Sequence, residues 1–467
     1  MTVERARSAP VDLDVLTSII KAYDVRGIVP DQLNAKICRD VGTAFVQLLL
    51  TEGAAPGVVV GYDMRPTSPA LSAAFAEGAA AAGVDVTLIG LASTDQLYCA
   101  SGLLGLPGAM FTASHNPAEY NGIKLCRAQA APVGEETGLA QIREALASGV
   151  QISGSAAGTI SERDMLAEYV AHLHALVDLS DVRALTVVVD AGNGMAGLTA
   201  PAVFAGLPMT LIPLYFELDG TFPHHEANPI DPDNLRDLQA AVVENRADIG
   251  LAFDGDADRC FVVDERGSIV SPSVLAALIA DRELARDPGG TVIYNLITSR
   301  VVPEVVAEAG GKAVRTRVGH SFIKGVMAET GAVFGGEHSG HFYFRDFWRA
   351  DSGMLAGMHT LAALGSGGAP LSELLAPYDR YAASGEINST VDDQAQVLDD
   401  IRRRWTSRDG VTIDELDGLT VAGDDWWFNV RASNTEPLLR LNVEAQEATT
   451  LGSVRDEVLA QIRGGAA

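Results

Sequence analysis

Gly57-Val-Val-Val-Gly61, followed by Tyr62-Asp63-Met64-Arg65-Pro66-Thr67-Ser68, decides the fold. The apolar run is short and uncharged, as a strand covered on both faces is, and it stops at a polar turn. Residues 68–82 are alanine-rich with helical spacing, and 84–91 read as the next strand. Strand, helix and strand in alternation predict an α/β domain.

The pattern returns further along the chain. Val187-Val-Val-Asp190 and Val292-Ile-Tyr-Asn295 are similar runs. Each of the three is followed by a polar turn: Asp63-Met-Arg65, Ala191-Gly-Asn193-Gly194 and Thr298-Ser-Arg300. Downstream of each, a second short apolar strand ends in an unusual loop. Those loops are Ser114-His115-Asn116-Pro117, Asp254-Gly-Asp256-Ala-Asp258-Arg259 and Gly336-Glu337-His338-Ser339-Gly340-His341. The spacing varies, so this is a loose repeat and not a solenoid. It predicts three related α/β domains with mixed sheets, each presenting one loop at a strand end. The tail alternates differently, with a strand at 385–391, a helix at 394–405, strands across 411–445 and a helix at 453–463. That predicts a smaller C-terminal α+β domain, and the expected domains are 1–162, 163–264, 265–372 and 373–467.

A chain of 467 residues has room for that many domains. Its 61 acidic and 34 basic residues leave a formal charge of −27, which argues against nucleic acid or an anionic membrane as partner. If the substrate is anionic, the few cations must cluster where it binds. Cys38, Cys99, Cys126 and Cys260 are far apart, so neither a zinc site nor a disulfide framework is expected and reduced cytoplasmic thiols are. The start, MTVERARSAP, has no apolar core of a signal peptide. The uncharged stretches 97–114 and 199–216 are broken by Gly, Pro and Ser and read as buried strands and turns, so a soluble protein is expected.

Ser114 follows Leu106-Pro-Gly-Ala-Met-Phe-Thr112, a charge-free approach that reads as a buried strand, and Asn116-Pro117 stops regular structure after it. A strand-end loop can present a hydroxyl on a rigid support. An ST-turn or a helix N-cap is the plainer account of a lone Ser-His pair. The company it keeps favours chemistry. Asp254, Asp256 and Asp258 fall at every second residue between two strand-like runs. Such carboxylates can fold around one hard cation, Mg²⁺, Mn²⁺ or Ca²⁺, and would repel one another without one. Asp254, Asp256, Asp258 and Glu265 match EF-hand positions, but Arg259 stands where that loop needs Gly and strands flank it. Three carboxylates leave octahedral positions for water and a phosphate oxygen, as Mg²⁺ prefers in phosphoryl transfer. A phosphoserine at Ser114 would supply that oxygen, and Arg259 could steady the same phosphate.

The other loops carry groups for an anionic sugar. Arg26 in Lys21-Ala-Tyr23-Asp24-Val-Arg26-Gly27 can meet a phosphate or be a surface turn. His320 and Lys324 share a helix face. Glu337 and Ser339 suit sugar hydroxyls, while His320, His338 and His341 lack zinc-ligand spacing. Arg431-Ala432-Ser433-Asn434-Thr435 can form an anion nest or an ordinary turn. Of five lysines, Lys21, Lys124 and Lys324 fall in or beside these loops, as do Arg26, Arg259 and Arg431. The cations do cluster.

Together these stretches resemble the α-D-phosphohexomutase family, in its phosphomannomutase/phosphoglucomutase branch. The resemblance runs from KAYDVRG (21–27) through TASHNP (112–117), NGIK (121–124), DGDADR (254–259), GHSFIK (319–324) and GEHSGH (336–341) to RASNTEP (431–437). It implies four domains around a central cleft and interconversion of hexose 1- and 6-phosphates through a 1,6-bisphosphate, which also activates. It implies Ser114 as the phosphoserine and Mg²⁺ held by Ser114, Asp254, Asp256 and Asp258. Arg26, His115, Lys124 and His341 would act in catalysis, with Tyr23, His320, Lys324, His338 and Gly340 at the substrate. Glu337 and Ser339 would hold sugar hydroxyls, while Arg431, Ala432, Ser433, Asn434 and Thr435 take the phosphate that is not transferred. One departure is Ile297, where some relatives carry Lys. His338 and Ser433-Asn434 favour mannose and glucose phosphates over the phosphoglucosamine mutase alternative. A metal-dependent sugar phosphatase is the other alternative.

Overall fold

The structure, a computed structural model, describes residues 7–54, 57–151, 156–432 and 438–464, and at 320 and 321 the backbone alone. The chain forms two compact units, Met1–Pro272 with Ser339–Leu374, and Ser273–His338 with Leu375–Ala467.

The first sheet holds β1 (Val25–Ile28), β2 (Gly57–Tyr62), β3 (Asp85–Leu91), β4 (Gly108–Phe111), β5 (Tyr120–Arg127), β6 (Ala131–Pro132) and β7 (Ile160–Glu162). Its order is β1-β5-β4-β2-β3-β7, with β6 on β5. Central β2 runs parallel to β3 and β4, and β5 returns antiparallel to β4. Val58, Val59 and Val60 are wholly buried, which is why this strand is apolar without alternation. Helices Ala35–Thr51 and Ser68–Ala81 lie so close that a Cβ on Gly42 would sit 2.3 Å from the Phe75 carbonyl oxygen. Phe75 stands between Phe45 and Phe111 in the core beneath them.

The second sheet repeats the frame. It comprises β8 (Leu185–Asp190), β9 (Met209–Leu214), β10 (Ile249–Phe253), β11 (Cys260–Asp264) and β12 (Ile269–Val270), in the order β12-β11-β10-β8-β9. Again the first strand is central and parallel to the next two, and the fourth returns antiparallel. In the second unit, β13 (Thr291–Asn295) lies between β14 (Lys312–Thr316) and β15 (Phe334–Gly336), parallel to both. The hairpin of β16 (Phe342–Phe344) and β17 (Ala350–Asp351) belongs to the first unit, with helix Gly353–Gly365. The expected three related α/β domains are present. In each, the third strand of the frame (β4, β10 or β15) runs into a loop rich in reactive side chains.

The tail forms β18 (Ala382–Thr390), β19 (Thr412–Asp414), β20 (Leu419–Ala422), β21 (Trp426–Ala432) and β22 (Leu438–Ala445), ordered β18-β22-β21-β20-β19 and antiparallel throughout. With helices Gln394–Thr406 and Ala448–Arg463 it is the expected α+β domain. The last helix begins at Ala448 and not at 453. Its first turn, Ala-Thr-Thr, shows no apolar period, although Leu451 already reaches the core. Trp426 and Trp427 are strand residues, and Trp405 stands edge-on to Trp426 and Phe428. Among the described residues no helix is long and apolar enough to cross a membrane.

Candidate active site

β4 is fully buried and delivers Thr112 and Ala113 to a tight turn. The Thr112 hydroxyl accepts from the Ser114 N–H at 2.9 Å, and the Asn116 N–H donates to the Ala113 carbonyl at 2.9 Å. Ser114 has φ of 47°. That left-handed conformation costs a non-glycine residue roughly 1–2 kcal/mol, so surrounding bonds must hold it. Its Oγ donates to Asp254 Oδ2 at 2.7 Å and lies 3.0 Å from His115 Nδ1. Arg26, from β1, donates to the Ala113 carbonyl at 2.9 Å and also reaches Asn116 and Asp24. Burial, then the nearby Arg259 and Arg26 charges, push the His115 imidazole well below its usual pKa.

Asp254, Asp256 and Asp258 are almost completely buried, and one carboxylate oxygen from each lies within 4.8 Å of the others. The cations come from outside the loop and from its end. Lys124 of β5 reaches Asp256 Oδ2 at 2.7 Å and Asp258 Oδ2 at 2.6 Å. Arg259 Nε donates to Asp254 Oδ2 at 3.0 Å. Burial works against the Lys124 ammonium, but Asp256 and Asp258 outweigh it and hold its pKa well above the lysine value. Burial also pushes the Asp256 carboxyl up, yet Lys124 and Thr94 reverse this and hold it below the ordinary carboxylate range. Asp254 goes the other way, to about 7, through burial and the Asp258 and Asp256 charges, against the pull of Arg259.

Oδ1 of Asp256 and Oδ1 of Asp258 are buried without a hydrogen-bond partner. A buried carboxylate oxygen left so is costly, and an all-oxygen set with two such atoms fits a hard cation. His341 Nε2 lies 3.6 Å from Asp258 Oδ1, and Arg259 forms a backbone bridge to His341. Ser339 Oγ is 3.1 Å from His341 Nδ1, and Gly340, at φ 87°, has no room for a Cβ beside the Phe261 ring. The first unit therefore brings Ser114, His115, Arg26, Lys124, the three aspartates, Arg259, Ser339, Gly340 and His341 together. Tyr23 is half-buried in the turn before β1.

In the second unit, buried Glu337 accepts from Asn295 Nδ2 at 2.8 Å. His338 Nδ1 is 3.0 Å from Ser273 Oγ, and burial lowers its pKa. Lys324 is buried on helix His320–Thr330, and the His320 side chain lies outside the described residues. Ile297 is buried in the turn after β13, so its position offers no cation. Arg431 ends β21 beside Ala432 and pairs with Glu386, which also takes Arg440. Ser433, Asn434 and Thr435 lie outside the described residues.

The chain matches four descriptions in order. These are phosphoglucomutase/phosphomannomutase α/β/α domain I over residues 17–152, domain II over 167–267, domain III over 271–381 and the C-terminal domain over 386–461. The chain belongs to the phosphoglucomutase/phosphomannomutase family. It is similar to the phosphohexose mutases of Xanthomonas campestris pv. campestris, at 39% identity over 447 residues, 95% of this chain and 99% of that protein. A phosphomannomutase of Escherichia coli is 39% identical over 458 residues, 95% of this chain and 98% of its own. The crystal structure of a phosphoglucomutase/phosphomannomutase family protein from Burkholderia thailandensis shares 33% identity and a TM-score of 0.88, covering 98% of this chain and 99% of that one.

In the first unit of this phosphoglucomutase/phosphomannomutase relative, two groups escaped the sequence reading. Thr94, at the start of helix Thr94–Leu104, bonds Asp256 through both its hydroxyl and its N–H. Nothing in Ser93-Thr94-Asp95 marks that partner, which is 162 residues away. Arg65 is fully buried against the serine loop. The signal for it was present: a cation in the first turn of the first repeat, in a chain with few cations.

Proposed function

We propose that this chain is a phosphomannomutase that also accepts glucose phosphates, interconverting hexose 1-phosphate and hexose 6-phosphate. The observation that carries the reading is the Ser114 hydroxyl, held in a left-handed turn 2.7 Å from a carboxylate of the aspartate cluster. Phosphorylated Ser114 would give its phosphoryl group to the free hydroxyl of the sugar, the P–Oγ bond breaking as the new P–O bond forms. The hydroxyl proton passes to a neighbouring base, with His115 and His341 the nearby groups able to take it, while the Lys124 ammonium keeps its charge beside the group in transfer. The resulting 1,6-bisphosphate returns its other phosphoryl group to Ser114. Free hexose 1,6-bisphosphate restores any serine that has lost its phosphate, and so activates.

Mg²⁺ is the proposed ion, on Asp254, Asp256, Asp258 and the Ser114 phosphate. When bound it neutralises charge on the group in transfer. Arg259 and Arg26 would steady that phosphate, while Glu337 and Ser339 hold sugar hydroxyls. His338, by the resemblance given above, supports mannose and glucose over glucosamine phosphate. Tyr23, His320, Lys324, Gly340 and the segment Arg431, Ala432, Ser433, Asn434 and Thr435 complete the proposed substrate set, the last taking the phosphate that stays. The four cysteines are free and buried, which supports a cytoplasmic setting.

The test is a coupled assay of mannose, glucose and glucosamine 1-phosphates with Mg²⁺ and a trace of the bisphosphate, beside Ser114→Ala. Mannose and glucose esters should isomerise, and the variant should lose on the order of 10³-fold or more, the scale on which removing a nucleophile acts. Isomerisation of glucosamine 1-phosphate alone would move the enzyme to the other branch. Release of free phosphate without isomerisation would make it a phosphatase.

A further inference from the structure

We propose that Arg65 is a positioning residue for the phosphoryl-transfer serine, a role that rests on the reading of Ser114 given above. Arg65 follows β2 by three residues and is 1% exposed. Its Nη1 donates to the carbonyls of Pro117 (2.8 Å) and Tyr120 (3.0 Å). Its Nη2 donates to those of Ser114 (3.0 Å) and Asn116 (2.6 Å). One planar fork thus gathers four main-chain carbonyls from the stretch 114–120. A buried guanidinium so committed is no spare charge.

Its counter-ion is as firmly placed. Arg65 Nε is 3.3 Å from Asp63 Oδ2, and both side chains are wholly buried. Asp63 Oδ1 accepts from the Arg65 N–H at 3.0 Å and from Ser68 Oγ at 2.6 Å. The Phe222 ring lies under the guanidinium, with Cζ 5.1 Å from its centroid. Gly220 meets the Arg65 backbone so closely that a Cβ there would be 2.6 Å from Arg65 Cα.

The Ser114 carbonyl is pinned from a second side. A Cβ on Gly255 of the aspartate loop would lie 2.3 Å from that oxygen. With its carbonyl held between the guanidinium and the aspartate loop, Ser114 keeps its positive φ and turns Oγ to Asp254. Lysine cannot do this, because an ammonium is a compact charge with three donors and no planar fork.

The test is Arg65→Lys, which keeps a charge for Asp63 but not the fork. kcat per folded molecule should fall on the order of 10²-fold, the scale set by misplacing a reacting atom by about 1 Å. KM should not change, since Arg65 touches no proposed sugar contact. Leu146→Ala, in the core of the same domain, is the control: it should lower Tm and leave kcat per folded molecule as it was. Phe222→Leu disturbs the guanidinium without changing a charge and should give a smaller fall in kcat at unchanged KM. It decides the matter if Arg65→Lys does not fold. Full kcat per folded molecule in Arg65→Lys, or in Phe222→Leu where that variant must decide, overturns the proposal. Ser114→Ala, assayed alongside, separates the two ideas. If it keeps full activity, the reading of Ser114 fails; if it is inactive while Arg65→Lys is normal, only the role of Arg65 falls.

Discussion

The serine loop and the aspartate loop leave the same strand of the same frame, β4 in one domain and β10 in the next, yet they are held in opposite ways. The serine loop carries no acidic side chain from 112 to 118, and Arg65 and Arg26 grip it by main-chain carbonyls. Its reactive side chain is left to a single carboxylate and a histidine. The aspartate loop is gripped by its side chains, with Lys124 and Arg259 on the carboxylates themselves. Repeating a frame therefore fixes where a loop emerges, and the cations around it decide which of its atoms stay available. A hydroxyl that must react is best held by its backbone. Carboxylates proposed to hold a cation are here offset by the charges of Lys124 and Arg259.

The contrast breaks most plainly at Lys124. Lys124→Met leaves buried Asp256 and Asp258 without their ammonium, and removing one partner of a buried pair costs roughly 3–5 kcal/mol. In chelator the expected loss of stability is of that size by denaturant or thermal unfolding. Mg²⁺ should recover part of it, since two carboxylate oxygens there have no hydrogen-bond donor. The stability lost in Arg65→Lys should not respond to Mg²⁺. Equal losses for Lys124→Met with and without the ion would show that the aspartates do not bind it.

Asp95 sharpens the comparison, because it is as buried as Asp256 but meets only hydroxyls. Ser93, Tyr169 and Ser352 donate to it, the last two at 2.8 and 2.7 Å. Burial pushes its pKa up to about 6, against the downward pull of those donors. An unfolded aspartate titrates near ~3.9. Between about pH 4 and pH 6 the unfolded chain has given up this proton and the folded chain still holds it, so stability falls as pH rises. The total is on the order of 3 kcal/mol at ~1.4 kcal/mol per unit. Unfolding of Asp95→Asn across that range should lack this contribution. A slope equal to that of the unmutated chain would mean that Asp95 is ionised throughout.

Much of the frame was legible because β2, β8 and β13 are covered on both faces and so read as bare apolar runs ending in polar turns. The aspartate loop was legible as a cluster because three carboxylates at alternate residues of one loop demand a counter-charge, part of which Lys124 and Arg259 supply. Arg65 was visible as a cation in the first repeat's turn but its partners were not, because they are carbonyls, and every residue has one. Sequence shows which side chains can bind but not which backbone atoms 49 to 55 residues away will be brought to them. Thr94 and Asn295 were missed for the same reason: each partner is fixed by strands that meet only after folding. The positive φ of Ser114 was hidden too, since serine carries no mark of it as glycine does.

The third loop gives the smallest and most specific prediction. It follows β15, and its Glu337 accepts from the amide of Asn295 at the end of β13. Asn295 Oδ1 in turn accepts from Thr298 Oγ1 at 2.8 Å and from the Ile297 N–H at 3.3 Å, so one side chain orders both the carboxylate and the turn beside it. Asn295→Ala removes one donor from a buried carboxylate, which costs about 1–2 kcal/mol of stability. A neutral amide fixes direction without adding charge, as suits a group proposed to recognise hydroxyls. KM for hexose phosphate should therefore rise by about tenfold, the equivalent of ~1.4 kcal/mol, with kcat changed less. If kcat falls and KM stays, Glu337 belongs with the serine loop as part of the transfer chemistry, and the division of labour among the three loops is wrong.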